Sequence, residues 1–421
     1  MGVWGPEAPS RECTLSRDPV QGQSPWPSPP PHATLRTMSQ LRLIHTSDWQ
    51  IGKTFGFADE AAQLLRDERL EAVTRLGQLA RAQNAPTVLV AGDIYDVQTP
   101  LERTLRQPIE RMRAFPDVEW HLIPGNHDPH TPRGPWERLL KLTDALPGNI
   151  HVHVSPEPAP LAGGAWLLPG VLTRRHAASD PTETMDEAAT PEGALRIGMA
   201  HGSITSFGTD TSSTHNLIAV DRPKRAGLAY LALGDWHGAQ SIGDRCWYSG
   251  TPETDDFSTG GSGGGVALQV ELDGTAPPKV TPHRTGRFFW HRVEADLFHA
   301  TDIDIVETRL RGLAPVDLGN VLVWLKVAGA LSLAERQSFE DKIINGVGSA
   351  VRVLRADTAA LLARPTPADL EAIDHAGFVR TAADLLAARA ADANDPDRDI
   401  AGAALQRLYV LHMRDAARTR A

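Results

Sequence analysis

Short apolar runs recur along the chain, each followed by a polar, glycine-containing stretch and then by a segment of helical spacing. The first is Leu41-Arg42-Leu43-Ile44. Thr87-Val88-Leu89-Val90 is rich in β-branched residues and reads as a buried strand. Glu119–Ile123, Arg196–Ala200 and Leu228–Leu233 read the same way. Residues 58–83 place Leu65, Val73, Leu76 and Leu79 near helical spacing. Thr99-Pro100 reads as an N-cap followed by proline at the first helical position, opening a helix through about Phe115. Buried strands alternating with helices predict a layered α/β domain. Beyond about residue 286 the texture changes. His291–Ala295, Val321–Val327 and Val351–Leu354 read as strands, with a helix over 301–312, which together make a small α/β module. Residues 366–417 are Ala/Leu-rich and predict helices, interrupted near Asp395-Pro396.

Residues 1–37 differ from all of this. They hold eight prolines and show no apolar periodicity. Such a segment cannot bury enough surface to offset its ordering entropy. It is expected to be a disordered tail, with Met38 as an alternative initiator. The chain of 421 residues is 41% hydrophobic and 22% charged, enough to build a full core. No apolar run approaches the ~20 residues that span a bilayer, so no membrane partner is expected. The net charge of -10 excludes a binder held on nucleic acid by bulk positive charge. It leaves room for a nucleic-acid enzyme, because divalent cations can supply a local positive field. Cys13 and Cys246 are the only cysteines, which excludes a cysteine-based zinc site or a disulfide framework and fits the cytoplasm.

Five polar loops directly follow five of the strand-like runs. They are Ser47-Asp48-Trp49-Gln50, Gly92-Asp93-Ile94-Tyr95-Asp96, Gly125-Asn126-His127-Asp128, Ala200-His201-Gly202-Ser203 and Gly234-Asp235-Trp236-His237-Gly238. An aspartate after a strand is most often a cap, and an isolated histidine is most often structural, so no single loop decides. Gly-Asn-His-Asp is the most specific, and the five in this order form a strong signal for metal chemistry.

The ordered set resembles the calcineurin-like metallophosphoesterases, and within them the SbcD-type nucleases of DNA repair, over about residues 40–285. The resemblance implies a four-layer β-sandwich flanked by helices over 38–285. It further implies a capping-like α/β module over 286–360 and a helical partner-binding end over 361–421. It implies two divalent ions, most readily Mn²⁺, with Mg²⁺ as the alternative. Asp93 would bridge them. Asp48, Gln50 and His237 would complete one site, and Asn126, His201 and Asp235 the other. His127 would face the phosphate, with Asp128 orienting it and Asp96 bracing its loop. DNA and an SbcC-like coiled-coil ATPase are the implied partners, and a homodimer is compatible. The turn Tyr248-Ser249-Gly250-Thr251-Pro252-Glu253 also resembles one found in SbcD-type chains.

Two positions depart from the family pattern. Gln50 stands where Asp-x-His is usual, and Asp235 where Gly-His-x-His is usual. Both exchanges move the site from imidazole toward oxygen donors, which suits Mn²⁺ or Mg²⁺ better than Zn²⁺. Other features carry less. Gly52-Lys53-Thr54 lacks the glycines of a P-loop. Gly260–Gly265 reads as a flexible loop. His151 and His153 alternate on a strand and read as a surface face. His45 and His215 read as structural or substrate-adjacent. Trp49 and Trp236 read as site walls, with base stacking as the sharper alternative. Three functions compete: a DNA nuclease, a phosphodiesterase or phosphatase of small molecules such as nucleotides, and a non-catalytic scaffold with a weakened metal site.

Overall fold

The computed structural model describes residues 41–142, 146–205, 215–258, 263–274, 276–313, 317–364 and 377–420. The Pro-rich segment 1–37 and residues 260–262 of the glycine-rich loop lie outside the described residues. Fourteen strands come first in the chain: β1 (Leu41–Thr46), β2 (Thr87–Val90), β3 (Glu119–Leu122), β4 (Ile150–Val152), β5 (Ala159–Pro160), β6 (Trp166–Gly170), β7 (Arg196–His201), β8 (Ser203–Ile204), β9 (Leu217–Ile218), β10 (Tyr230–Gly234), β11 (Gln240–Gly243), β12 (Cys246–Tyr248), β13 (Val266–Leu272) and β14 (Lys279–Arg284). Twelve of them build two six-stranded sheets, in the orders β14-β13-β1-β2-β3-β4 and β11-β12-β10-β7-β6-β5, while β8 and β9 pair separately. β1 to β4 run parallel in the first sheet. β6, β7, β10 and β12 run parallel in the second. Antiparallel strands close every edge but that of β4.

Side-chain alternation along the strands fixes the layers. Leu43 and Leu89 point into a core shared with Leu167, Ile197, Met199 and Tyr230 of the second sheet. Ile44, Val88 and Val90 point the other way, onto Val73, Leu76, Leu105 and Ile109. Those four lie on α1 (Ala62–Ala82) and α2 (Glu102–Arg113). The outer face of the second sheet buries Leu168, Leu231 and Leu233 against Met185, Ile218 and Tyr248. The result is a mixed α/β sandwich with helices outside the first sheet. The helix expected from Thr99-Pro100 opens instead at Glu102, after an extended Leu101, and ends at Arg113.

The chain then forms a three-stranded parallel sheet of β15 (Phe289–Leu297), β16 (Val321–Leu331) and β17 (Val353–Ala363). The expected boundary at 360 falls inside β17. Val321, Val323, Leu325 and Val327 cover one face with Ile303, Val306, Phe339 and Ile343. The helical segment that holds Phe339 and Ile343, Leu333–Val347, was not expected from the sequence, although its start carries a Ser332–Glu335 capping box. The opposite face is divided. At one end Trp290 and Leu322 pack on Phe55, Leu65 and Phe257 of the sandwich. At the other, Phe298 and Ala330 pack on Val410. A parallel sheet is thereby covered on both faces. Val410 belongs to the last of two helices, Phe378–Ala391 and Arg398–Arg420, which are separated near Asp395-Pro396 as expected. Leu370 and Ile373 lie outside the described residues. No described helix is long and apolar enough to cross a membrane.

His151 and His153 are not a plain surface face. His121 on β3 is buried, and its Nδ1 lies 3.0 Å from His153 Nε2. The His151 ring stacks on His121 at 4.7 Å. The pairing of β3 with β4 puts His121 opposite His151, which a reading of one strand at a time cannot see.

Candidate metal centre

The carboxyl ends of β1, β2 and β3 in one sheet meet those of β7 and β10 in the other, and the five polar loops converge there. Open sheets of this kind present their loops at that edge. Backbone bonds knit the first two loops: Asp48 N donates to Gly92 O (3.0 Å) and Gln50 N to Asp93 O (2.8 Å). Asp48, Gln50, Asp93 and Asp235 all sit at positive φ, between 44° and 101°. L-residues rarely hold that conformation, and strain of this type gathers at functional sites. Gly92 and Gly125 permit the close approach. A Cβ on Gly92 would stand 2.4 Å from His201 Nδ1, and one on Gly125 would stand 2.1 Å from Asp93 Oδ1.

Seven side chains form one connected cluster, to which His127 is tied through its backbone. Asp48, Asp93 and His201 are buried, and each offers an atom within 4.8 Å of the others. His201 Nε2 lies 3.5 Å from Asp93 Oδ1 and 3.8 Å from Asp235 Oδ1. Its Nδ1 donates to Ala91 O (2.8 Å), so Nε2 is the nitrogen turned to the cluster. His237 Nε2 lies 3.7 Å from Asp48 Oδ1. Asn126 Nδ2 donates to Asp235 Oδ1 (3.3 Å). Gln50 Nε2 lies 3.2 Å from His237 Nε2. His127 N donates to Asp93 Oδ1 (2.8 Å), while its ring stands at the rim, 30% exposed.

The cluster is built for positive charge. Burial opposes charge on His201, but Asp93, then Asp48 and Asp235, outweigh it and lift its pKa to about 9. His237 rises to about 9 by the same contest, with Asp255 and then Asp48 on the raising side. Burial pushes the Asp48 carboxyl upward. A divalent cation would meet this field in place of protons. His201 Nε2 and Asn126 Oδ1 are buried without a hydrogen-bond partner, as donor atoms awaiting an ion would be. Carboxylate, amide oxygen and imidazole together suit a hard or borderline divalent ion. The residues present therefore fit a metal centre.

The profile of the calcineurin-like phosphoesterases matches residues 41–259, more than half of the chain. The chain belongs to that family. Two relatives both bear the name of the SbcD component of the SbcCD nuclease. The one from Rhodobacter capsulatus is 29% identical over 58% of this chain and 69% of its own length. The one from Bacillus subtilis is 26% identical over 54% of this chain and 66% of its own. The solved calcineurin-like phosphoesterase YfkN from Bacillus subtilis aligns at TM-score 0.35 and 12% identity, over 58% of this chain and 91% of that one.

In this phosphoesterase the residues around the donors correct part of the sequence reading. Asp128 does not orient His127. Its Oδ1 accepts from Gly125 N (2.6 Å) and its Oδ2 from Tyr95 N (3.0 Å), so it clamps two loops from beneath. The carbonyl of Asp96 takes the orienting role, 3.0 Å from His127 Nδ1. Trp49 is buried and donates to Thr46 Oγ1 (3.1 Å), so it is core and no stacking platform, whereas Trp236 is 44% exposed. His45 is structural: it joins the two sheets through Tyr230 Oη (2.9 Å) and Leu233 O (3.2 Å).

Four residues went unassigned in the sequence. Asp255 Oδ1 lies 3.0 Å from His237 Nδ1. Lys53 Nζ donates to Asp255 Oδ2 (2.7 Å) and to Gln50 Oε1 (3.2 Å). Ser203 Oγ donates to Asp235 Oδ2 (2.7 Å). Arg69 is buried and donates to the carbonyls of Trp49, Asp48 and Glu253. Burial opposes charge on Asp255, yet His237, Arg69 and Lys53 hold its carboxyl far below the usual range. Asp255 and Ser203 had a legible signal, since the first follows the Tyr248–Glu253 turn by two residues and the second closes the fourth polar loop.

Proposed function

We propose that this chain is a divalent-metal-dependent DNA nuclease that hydrolyses phosphodiester bonds and works with an SbcC-like coiled-coil ATPase. The observation that carries the reading is the cluster of Asp48, Asp93 and His201 at the meeting edge of the two sheets. Support for DNA over another phosphodiester comes from the two relatives named as components of a nuclease.

Asp93 is assigned to both ions. Asp48, Gln50 and His237 would hold one of them, and Asn126, His201 and Asp235 the other. Two ions held there, Mn²⁺ or Mg²⁺, would supply a hydroxide from bound water and neutralise charge on the phosphate oxygens. The chain's own groups do the rest. Asn126 and Asp235 hold each other in register. His127 uses Nδ1 as a donor to the Asp96 carbonyl, which leaves Nε2 to face the phosphate. As imidazolium it would donate its Nε2 proton to the leaving oxygen. Asp128 keeps the loops of Tyr95 and Gly125 at the spacing this needs.

The three functional segments proposed are 38–285 for catalysis, 286–360 as a cap and 361–421 for the partner. The last exposes Phe378, Leu385, Ile400 and Leu411, apolar residues suited to helix packing against another chain. The test is Asp93→Ala. Cleavage of linear DNA with Mn²⁺ and bound Mn²⁺ should vanish together. Wild-type cleavage in the variant would remove Asp93 from the bridge. A wild-type chain that cleaves a nucleotide phosphodiester but no DNA would point to a small-molecule substrate.

A further inference from the structure

Gln50 differs from every other donor in the centre because a fixed cation competes for it. Its side chain is buried. Its Oε1 accepts from Lys53 Nζ at 3.2 Å, and its Nε2 lies 3.2 Å from His237 Nε2. Lys53 also donates to Asp255 Oδ2, and Asp255 Oδ1 contacts His237 Nδ1. The four side chains close a ring that runs Asp255, His237, Gln50, Lys53 and back to Asp255.

The ring fixes the amide. A lysine ammonium carries donors only, so it must face the amide oxygen. The amide NH₂ is then turned to His237 Nε2, the nitrogen that would hold an ion on this side. Two partly positive hydrogens point where a cation would sit. Flipping the amide would offer its oxygen to the ion, but it would also set NH₂ against the ammonium, two donors with no acceptor between them. The opposite half has no such competitor. His201 Nε2 and Asn126 Oδ1 are buried without a hydrogen-bond partner, and Asp235 adds a carboxylate where an imidazole is usual in the family.

We infer that Lys53 latches the Gln50–His237 half of the centre against a cation, so that the two positions fill in order. The first ion enters among Asp93, Asn126, His201 and Asp235. The second enters beside Asp48 and His237 only when the ring opens, and it binds at least tenfold more weakly. Lys53 is thus a positioning residue that acts through Gln50. This inference rests on the cation-centre reading above and adds to it an order and a cause.

Native mass spectrometry and calorimetric titration of the full chain with Mn²⁺ alone test it without reference to turnover. The wild type should bind one Mn²⁺ tightly and a second at least tenfold more weakly. Lys53→Met removes the donor and should bring the two affinities within about threefold, whereas Lys53→Arg keeps a donor and should keep the gap. Gln50→His replaces the amide with a ring that Lys53 cannot orient, and it should narrow the gap too. It decides the matter if Lys53→Met fails to fold by circular dichroism. Two equal sites in the wild type, or a gap unchanged in folded Lys53→Met and Gln50→His, overturns the latch while leaving the cation centre standing. A folded wild type that binds no Mn²⁺ overturns the centre itself.

Discussion

His127 faces the centre without joining it, and that separates its effect from those of the ligand set. Its backbone N–H bonds Asp93, so the loop is held whether or not the ring is present. His127→Ala should therefore keep Mn²⁺ bound while turnover falls about 10²–10³-fold, as for loss of one transition-state donor. Metal analysis beside a DNA cleavage assay checks this, and loss of metal would make His127 a ligand. Arg69 predicts the converse pattern. It touches no proposed ligand atom, but it spans the carbonyls of Asp48, Trp49 and Glu253 from α1. Arg69→Met leaves the Trp49 carbonyl without a donor and leaves those of Asp48 and Glu253 to share the Thr251 hydroxyl, which should cost about 2–4 kcal/mol of stability. It should also weaken Mn²⁺ binding about tenfold, since groups behind a ligand tune affinity on that scale. Denaturant unfolding and metal titration read the two effects separately. An unchanged metal affinity would reduce Arg69 to a purely structural brace.

Adjacent strands β3 and β4 carry a pH dependence that neither shows alone. Burial, then His153 and His151, lowers the pKa of His121 to about 3, and burial, then His151, lowers that of His153 to about 4. In the unfolded chain both return to about 6.5. Below that pH the unfolded chain takes up protons that the folded chain refuses. The contribution of these two histidines is complete above pH 6.5 and is lost as pH falls toward 4 and then 3. The melting temperature should drop between pH 6.5 and 4. His121→Gln, which keeps a polar group beside His153, should flatten that drop. Equal slopes in variant and wild type would mean that the acid sensitivity arises elsewhere. The three-stranded sheet, β15 to β17, makes a packing argument of its own. Val321–Val327 reads as an apolar run because the central strand β16 is covered on both faces, yet β17 extends nine residues past the expected Leu354. The added residues pair with β16, and that pairing, more than their own propensity, makes them strand.

At the scale of the whole molecule, the eight residues of the centre all lie within 48–237, so the centre is independent of the C-terminal helices. Deleting the chain after Arg364 should leave Mn²⁺ binding and basal cleavage of a simple phosphodiester intact, and abolish co-purification with an SbcC-like ATPase. Loss of metal or aggregation would show that the helices belong to the core, through Val410 against Phe298 and Ala330. The legible part of this protein was local. Apolar runs marked five strands because their alternation is written residue by residue, and the polar loops after them carried the donor types. Edge strands such as β5 and β11 left no such trace, since β5 has two residues and Gln240-Ser241-Ile242-Gly243 is mostly polar and exposed. What the sequence could not decide was who meets whom. Asp255 lies 18 positions beyond His237, and Arg69 lies 21 beyond Asp48, so only the packing of loops and of α1 on the sheets makes them partners. The sequence by itself determined the strands, the loops and the donor atoms. Tertiary structure alone decided that Asp96 rather than Asp128 orients His127, and that Lys53 claims the oxygen of Gln50. Hydrogen bonds act over about 3 Å, and distances that short are set by packing.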